Sequence, residues 1–522
     1  MKRRYRLVAL FIIVLVGFIA RVVLAYELPI MGDGANHAVI IEKIAQTGIL
    51  PLFSNYPTFF HLLNAIIYNC IGAGYKFMPA IMGSLTIVVF YLFTKELMQS
   101  SLVGILGALI VAVYPYHILL SALLFMETTV VLFTFLTMWC HLRYFRNSNY
   151  KWLILCGLFM GATVAIKQFG YILPVVIFGQ GIVLSVKLQR GGLWDRIKRF
   201  GVEFGLMTLI AGIVAAPFLF QMYKTTGTLM DPYNPNPRLG SPFLKVNSEA
   251  TAIIYKNFSY SQLSNYADLK SIEQFYNPSG YFYSRFHLNE NIFFLLLGLG
   301  IIALVRYKPR QLLYLLGFLI PYHLVLMWIQ SQRYFISSKL ILTAVLASAI
   351  IIPLNRGYKT IRAVTQLFLV VIVYGFLVIF VEGVKDTLSW KNSLGWTPAN
   401  EPIDNLIEVC GWIKNNSSEI DKVASPVDGE VRYYCGRDVY WLTPSGGVEF
   451  YNAFARHENE ALREVVTKEG IKYILIPMVR VTRGIPSTPG VIKYDDYLFL
   501  KSSPVFKMVY SKPGVEVFSV GK

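Results

Sequence analysis

The chain has 522 residues, of which 55% are hydrophobic and only 15% charged. Soluble globular domains carry about a quarter charged residues, so this composition, with a mean hydropathy of +0.51, excludes an ordinary soluble protein and points to repeated membrane crossing. The formal net charge of +18 raises nucleic acid as a partner. The basic residues, however, lie in clusters between apolar runs, which is the pattern of short inner loops and not of a basic groove, so no nucleic acid is expected.

The first apolar run, 7–25, follows the basic start MKRRYR, is long enough for a bilayer core of about 30 Å and lacks a small-residue cleavage site. It reads as a retained helix. The stretch 61–75 is apolar but short, and is read as an interfacial helix inside the first outer loop. Further spans centre on 78–97, 102–119, 127–142, 152–169, 171–186, 202–222, 291–305, 311–328, 336–353 and 363–381, about eleven in all. An odd number puts the amino terminus inside and everything after 381 outside. The basic clusters at 143–151, 187–199, 306–310 and 355–362 then all face the cytoplasm, as the positive-inside bias requires.

The expected fold is therefore an α-helical polytopic membrane protein with a C-terminal extracytoplasmic α/β domain. Residues 1–381 form the transmembrane domain, with large outer loops at 26–77 and 223–290, and residues 382–522 form the outer domain. In that tail, candidate helices at 401–416 and 451–470 alternate with the β-like runs VRYYC, DVYWL and KYILIP. Cys70, Cys140 and Cys156 belong to apolar segments, whereas Cys410 and Cys435 share the tail, where they either pair or remain free thiols.

Ionisable residues in or beside spans are costly and therefore candidates for function. Asp33 follows the first helix, Glu127 starts the fourth span, Lys167 ends the fifth, and Arg333 sits in the outer turn before the tenth, with Lys339 a turn or two deeper. Singly, each has a bland alternative: Asp33 an Asx turn before Gly34, Glu127 a helix cap, Lys167 and Arg333 snorkelling cations. Together they bring carboxylates and cations to one depth on one side, which independent snorkelling does not require. His37 shares a helical face with Asp33, which makes the two a candidate pair for a divalent metal ion.

The inner loops are too short for a nucleotide-binding domain, and no phosphate-binding glycine motif has the right context, so an activated substrate would reach the site through the membrane as a lipid phosphate. Cations would bind its phosphate, and a carboxylate would take a proton from an acceptor hydroxyl. The outer loop 223–290 is rich in tyrosine, whose faces and hydroxyls suit sugars or lipid head groups.

GDGANHAVIIEKIAQTGILP, YPTFFHLLNAIIYNCIGAGYKFMPAIMGSLTIVVFYLFTKEL, METTVVLFTFLTMWCHLRYFR, KWLILCGLFMGATVAIKQFGYILP and QRYFISSKL resemble, in that order, segments of the GT-C superfamily of polytopic glycosyltransferases. The likeness is to the branch of protein O-mannosyltransferases and the lipid A aminoarabinose transferase, and the tail resembles the outer domain often found behind their helices. That resemblance implies an inverting glycosyltransferase of the cell membrane, taking a sugar from a polyprenyl-phosphate carrier to a protein, lipid or glycan acceptor. It implies Asp33 as catalytic base, Glu127 as the second acidic position, and Lys167 and Arg333, with Lys339 nearby, at the carrier phosphate. Two departures stand out: Gly34 replaces a second acidic residue found in many relatives, and QRYFISSKL lacks the proline after RY. The rival function class is a transporter or flippase of a lipid-linked sugar, against which stands the absence of a repeated, even helix plan.

Overall fold

In the computed structural model, residues 3–49, 57–188, 192–226, 301–302, 304–326, 403–442, 448–478, 481–482 and 492–520 are described, with isolated positions between 337 and 388. Helix α1 (Arg3–Glu27) carries the first apolar run and leaves Phe11, Ile12 and Ile19 exposed, as a helix facing lipid does. α2 (Asp33–Thr47) follows, then α3 (Phe59–Ile71), which passes through the 3-10 segment Gly72–Phe77 into α4 (Met78–Met98). The helical stretch Phe59–Met98 as a whole is long and apolar enough to cross a membrane. α7 (Glu127–Asn147), α8 (Tyr150–Ile166), α9 (Ile172–Leu188) and α11 (Pro309–Leu326) lie where the sequence places spans.

One expectation in this part is corrected. The span read at 102–119 is two helices, α5 (Ser101–Val113) and α6 (Pro115–Ala122), bent by 57° at the break. Pro115 has no N–H to continue the α5 ladder, so a new helix starts with it at the first position. The span read at 202–222 lies within α10 (Leu193–Thr226), whose stretch Ile197–Lys224 is long and apolar enough to cross a membrane. The eleven-span count extends beyond the described residues.

Packing follows from small residues and aromatics. A Cβ on Gly161 of α8 would lie 2.6 Å from the Ala211 carbonyl oxygen, and one on Gly157 would lie 2.8 Å from that of Met207, so glycine lets α8 meet α10 backbone to backbone. α4 and α7 meet through Phe90, Phe93 and Phe135, with Phe90 and Phe135 edge to face at 4.9 Å.

The C-terminal region forms a sheet domain. α12 (Ile403–Asn416) precedes β1 (Lys422–Ser425), β2 (Val439–Trp441), α13 (Val448–Ala455), α14 (Asn459–Glu469) and β3 (Ile471–Pro477). The short strands β4 (Val481–Thr482) and β5 (Ile492–Lys493) pair with each other, and α15 (Tyr494–Ser502), β6 (Phe506–Lys512) and β7 (Val515–Val520) complete it. The main sheet has the order β2-β1-β3-β7-β6. Its first three strands are parallel, as an α/β domain requires, and β7 and β6 add an antiparallel hairpin. Phe450, Leu462, Ile474, Leu500 and Phe518 fill its core.

Two expectations in the tail are also corrected. VRYYC is a π-helical turn, Val431–Cys435, and not a strand, and Cys435 is disulfide-bonded to Cys410. The helix expected over 451–470 is broken into α13 and α14 at His457, which takes a left-handed φ of 58°.

The described residues fall into two compact units. One holds α1 and α3 to α11; the other holds the C-terminal sheet domain together with the segment Glu27–Pro51, which carries α2.

Candidate functional site

In the helical unit, Glu127 opens α7 and Lys167 closes α8. Lys167 Nζ donates to Glu127 Oε1 at 2.8 Å, and the side chains are only 2% and 4% exposed, respectively. A carboxylate at a helix N-terminus and a cation at a C-terminus each meet the favourable end of a helix dipole, and each offsets the other's burial. Lys167 leaves the helix in extended conformation, and its carbonyl accepts from the Gly170 N–H at 2.9 Å. Gly170 fits there because a Cβ would meet the Thr163 carbonyl at 2.6 Å. Thr128 and Thr129, next to Glu127, are fully buried, and their hydroxyls have no hydrogen-bond partner among the described residues. The structure thus brings Glu127 and Lys167 together, while Arg333 and Lys339 lie outside the described residues.

In the other unit, Asp33 is the first residue of α2 and is half-buried. The preceding Gly32 has φ 56° and ψ −135°, a region that favours glycine, and it carries no side chain to cap the helix. Its N–H instead donates to Glu430 Oε1 at 2.8 Å, and Glu430 is 3% exposed. Tyr434 OH donates to the Ile30 carbonyl at 2.8 Å. Asp428 shares a hydrogen bond with Asn36. Burial pushes the Asp428 carboxyl above its ordinary value, and the Asp33 charge adds to the rise, while Arg432 and the Asn36 bond oppose it. His37 is buried on α2. No group of three His, Cys, Asp or Glu side chains among the described residues is placed to hold a metal ion, so Asp33 and His37 do not by themselves make a ligand set.

Sequence reasoning missed the most fully buried charge. Arg21 of α1 is fully buried, and its Nη1 donates to the carbonyls of Gly17 (2.8 Å) and Ala112 (3.1 Å). Its Nη2 donates to the Val111 carbonyl (3.1 Å) and to His117 Nδ1 (2.8 Å). The guanidinium thereby satisfies carbonyls that the last turn of α5 leaves without a helical partner. The signal for it was an arginine inside the apolar run 7–25. The turn 428–435 was missed as well, because nothing in its sequence shows that it meets residues some 400 positions earlier, a separation of 398 for the Gly32–Glu430 bond.

Residues 47–224, which include Glu127 and Lys167, match the family model described as dolichyl-phosphate-mannose-protein mannosyltransferase. No curated protein matches the chain in sequence. Among solved structures, the chain is similar to the Archaeoglobus fulgidus oligosaccharyltransferase in complex with zinc and sulfate, with a TM-score of 0.64 and 14% identity over 98% of this chain and 73% of that one. It is similar to the same organism's oligosaccharyltransferase AglB in complex with an inhibitory peptide and a dolichol-phosphate, with a TM-score of 0.61 and 15% identity over 91% of this chain and 69% of that one. It is also similar to ArnT from Cupriavidus metallidurans bound to undecaprenyl phosphate, with a TM-score of 0.58 and 12% identity over 99% of this chain and 98% of that one. Identities this low speak for the fold alone: the chain has the fold of these oligosaccharyltransferase and ArnT structures.

Proposed function

We propose that the chain is an inverting membrane glycosyltransferase that moves a sugar from a polyprenyl-phosphate carrier to an acceptor hydroxyl on the outer face. Its strongest support is the buried Glu127–Lys167 pair, which lies inside the segment matched by the mannosyltransferase family model. The dolichol-phosphate and undecaprenyl phosphate bound by two of the similar structures support a lipid-phosphate donor.

In this reaction Asp33 accepts the proton of the acceptor hydroxyl as its oxygen attacks the anomeric carbon. The bond from that carbon to the phosphate oxygen breaks, and the carrier leaves as polyprenyl phosphate. Lys167, with Arg333 and Lys339, binds the carrier phosphate and stabilises the leaving charge, so no separate acid is needed. Glu127 fixes Lys167 and orients the substrates.

The topology that goes with this function has about eleven spans, an inner amino terminus and a division near 381 into a catalytic helical part and an extracytoplasmic domain. The Cys410–Cys435 disulfide supports an oxidising, outer location for that domain.

Replacing Asp33 with Asn tests the function. Deleting the chain should cause a polyprenyl-phosphate sugar to accumulate and a glycosylated product to vanish, both read by mass spectrometry of membrane lipids and glycoconjugates. Asp33→Asn should expand into the same phenotype at normal expression, a loss of transfer of roughly 100-fold or more. Full transfer by Asp33→Asn would remove Asp33 as the base.

A further inference from the structure

The carboxylate assigned as base sits at the first residue of a short helix, close to a turn of the C-terminal domain. Its helix begins after Gly32 with no side-chain cap, and the backbone there has a conformation that only glycine adopts easily. One turn of the C-terminal domain bonds this start of the helix directly. Glu430 takes the Gly32 N–H at 2.8 Å, Tyr434 donates to the Ile30 carbonyl at 2.8 Å, and Asp428 bonds Asn36, so that the chain is held both before and after Asp33. A Cβ on Gly429 would stand 3.0 Å from the Gly32 carbonyl oxygen and from Asn36 Cγ, which shows how closely the turn and the start of α2 approach.

The turn is itself anchored at both ends. It begins just beyond the carboxyl end of β1, with the Val427 N–H donating to Ser425 Oγ at 3.3 Å, and it ends at Cys435, which the disulfide ties to Cys410 of α12. A carboxylate as buried as Glu430 is expensive unless it is bonded, and a bond from a backbone N–H to an ionised acceptor is of the strong kind. Reacting groups work only when held to within a fraction of an ångström by supports that are themselves rigid. A sheet end and a disulfide provide such a support.

We infer that Glu430 and Tyr434 are positioning residues for Asp33, acting through the Gly32 N–H and the Ile30 carbonyl, so that the outer domain sets the geometry of the base. This rests on Asp33 acting as the base. Glu430 takes no part in proton transfer; only its oxygen as an acceptor matters. Glutamine keeps that oxygen, and alanine does not.

The test uses the full-length chain in lipid vesicles, with the radiolabelled polyprenyl-phosphate sugar that accumulates in the deletion strain as donor and deletion-strain membranes as acceptor. Glu430→Ala should lower kcat roughly tenfold with the donor KM unchanged, and Glu430→Gln should restore most of the rate. Tyr434→Phe should give a smaller fall of the same kind. Amide exchange, read by mass spectrometry, should rise in the peptide 28–38 of Glu430→Ala and stay unchanged in β3 and β7. That pattern separates positioning from a general loss of folding. A wild-type rate in Glu430→Ala beside an inactive Asp33→Asn overturns the inference and leaves the proposed function standing. Faster exchange throughout the sheet, or failure of Glu430→Gln to restore the rate, overturns it too. An active Asp33→Asn, or a deletion strain without the accumulated lipid, removes the proposed function and this inference with it.

Discussion

Glu127 and Asp33 both stand at the start of a helix, yet their surroundings differ in kind. Glu127 faces an ammonium at 2.8 Å in the helical unit, both partners buried. Asp33 belongs to a segment bonded by Glu430 and Tyr434 and shares its neighbourhood with Asp428. The two acids thus stand in opposite surroundings, and the proposed reaction gives them different roles, proton acceptance to Asp33 and orientation to Glu127.

The contrast is broken most directly at Lys167. Lys167→Met leaves Glu127 buried without its cation and is expected to cost about 3–5 kcal/mol, read as thermal unfolding in detergent. Combining it with Glu127→Gln should recover much of that loss. A single variant as stable as the parent would mean that the pair does not compensate charge, and the comparison would collapse.

On the other side, Cys410→Ser opens the link that ends the 428–435 turn. With a sequence separation of 25 between the cysteines, loop-closure entropy predicts a loss of about 3 kcal/mol, seen as earlier melting of the C-terminal domain in the full chain. The Glu127–Lys167 unit should melt as before.

Gly170→Ala presses a methyl carbon against the Thr163 carbonyl, which a Cβ would approach to 2.6 Å. It should destabilise by about 1–3 kcal/mol and displace the Lys167 backbone that Gly170 hydrogen-bonds. Unaltered stability would show that the end of α8 is not constrained there.

The smallest effect is expected at Asp428. Its folded pKa is raised, chiefly by burial, so the folded state holds a proton that the unfolded state gives up at the same pH. Stability therefore falls as pH rises from the unfolded value of 3.8 through the raised folded value, and the cost stays in full above it. Asp428→Asn should stabilise the C-terminal domain at neutral pH, and the gain should vanish as the pH falls below that window. A gain independent of pH would assign the effect to something other than ionisation.

Legibility in the sequence varied with how local the cause is. α1, α4 and α7 were plain because an apolar run of sufficient length declares itself. The break between α5 and α6 was not, although Pro115 marks it, because the hydropathy continues across it and the compensating Arg21 comes from another helix. VRYYC has the aromatic and branched residues of a strand, yet the disulfide at Cys435 and the Tyr434 bond to Ile30 accompany a helical turn there. That is tertiary structure overriding propensity. The β6–β7 hairpin carried a readable signal, Pro513 and Gly514 between two alternating runs, which went unused. For the site, Glu127 and Lys167, which the sequence singles out on separate spans, are in contact. The hold on Asp33 had no sequence signature, since both halves of each bond are ordinary residues far apart in the chain.

Arg21 has a consequence for how the chain is made. Its guanidinium sits in α1, while two of its acceptors, the Val111 carbonyl and His117, lie 90 and 96 residues later in the chain. Until those residues are made, α1 carries an arginine without these acceptors, and a cation inside an apolar run is costly in lipid. The contact that satisfies Arg21 can form only once Val111, Ala112 and His117 exist, which couples the settling of α1 to that of the broken pair α5 and α6.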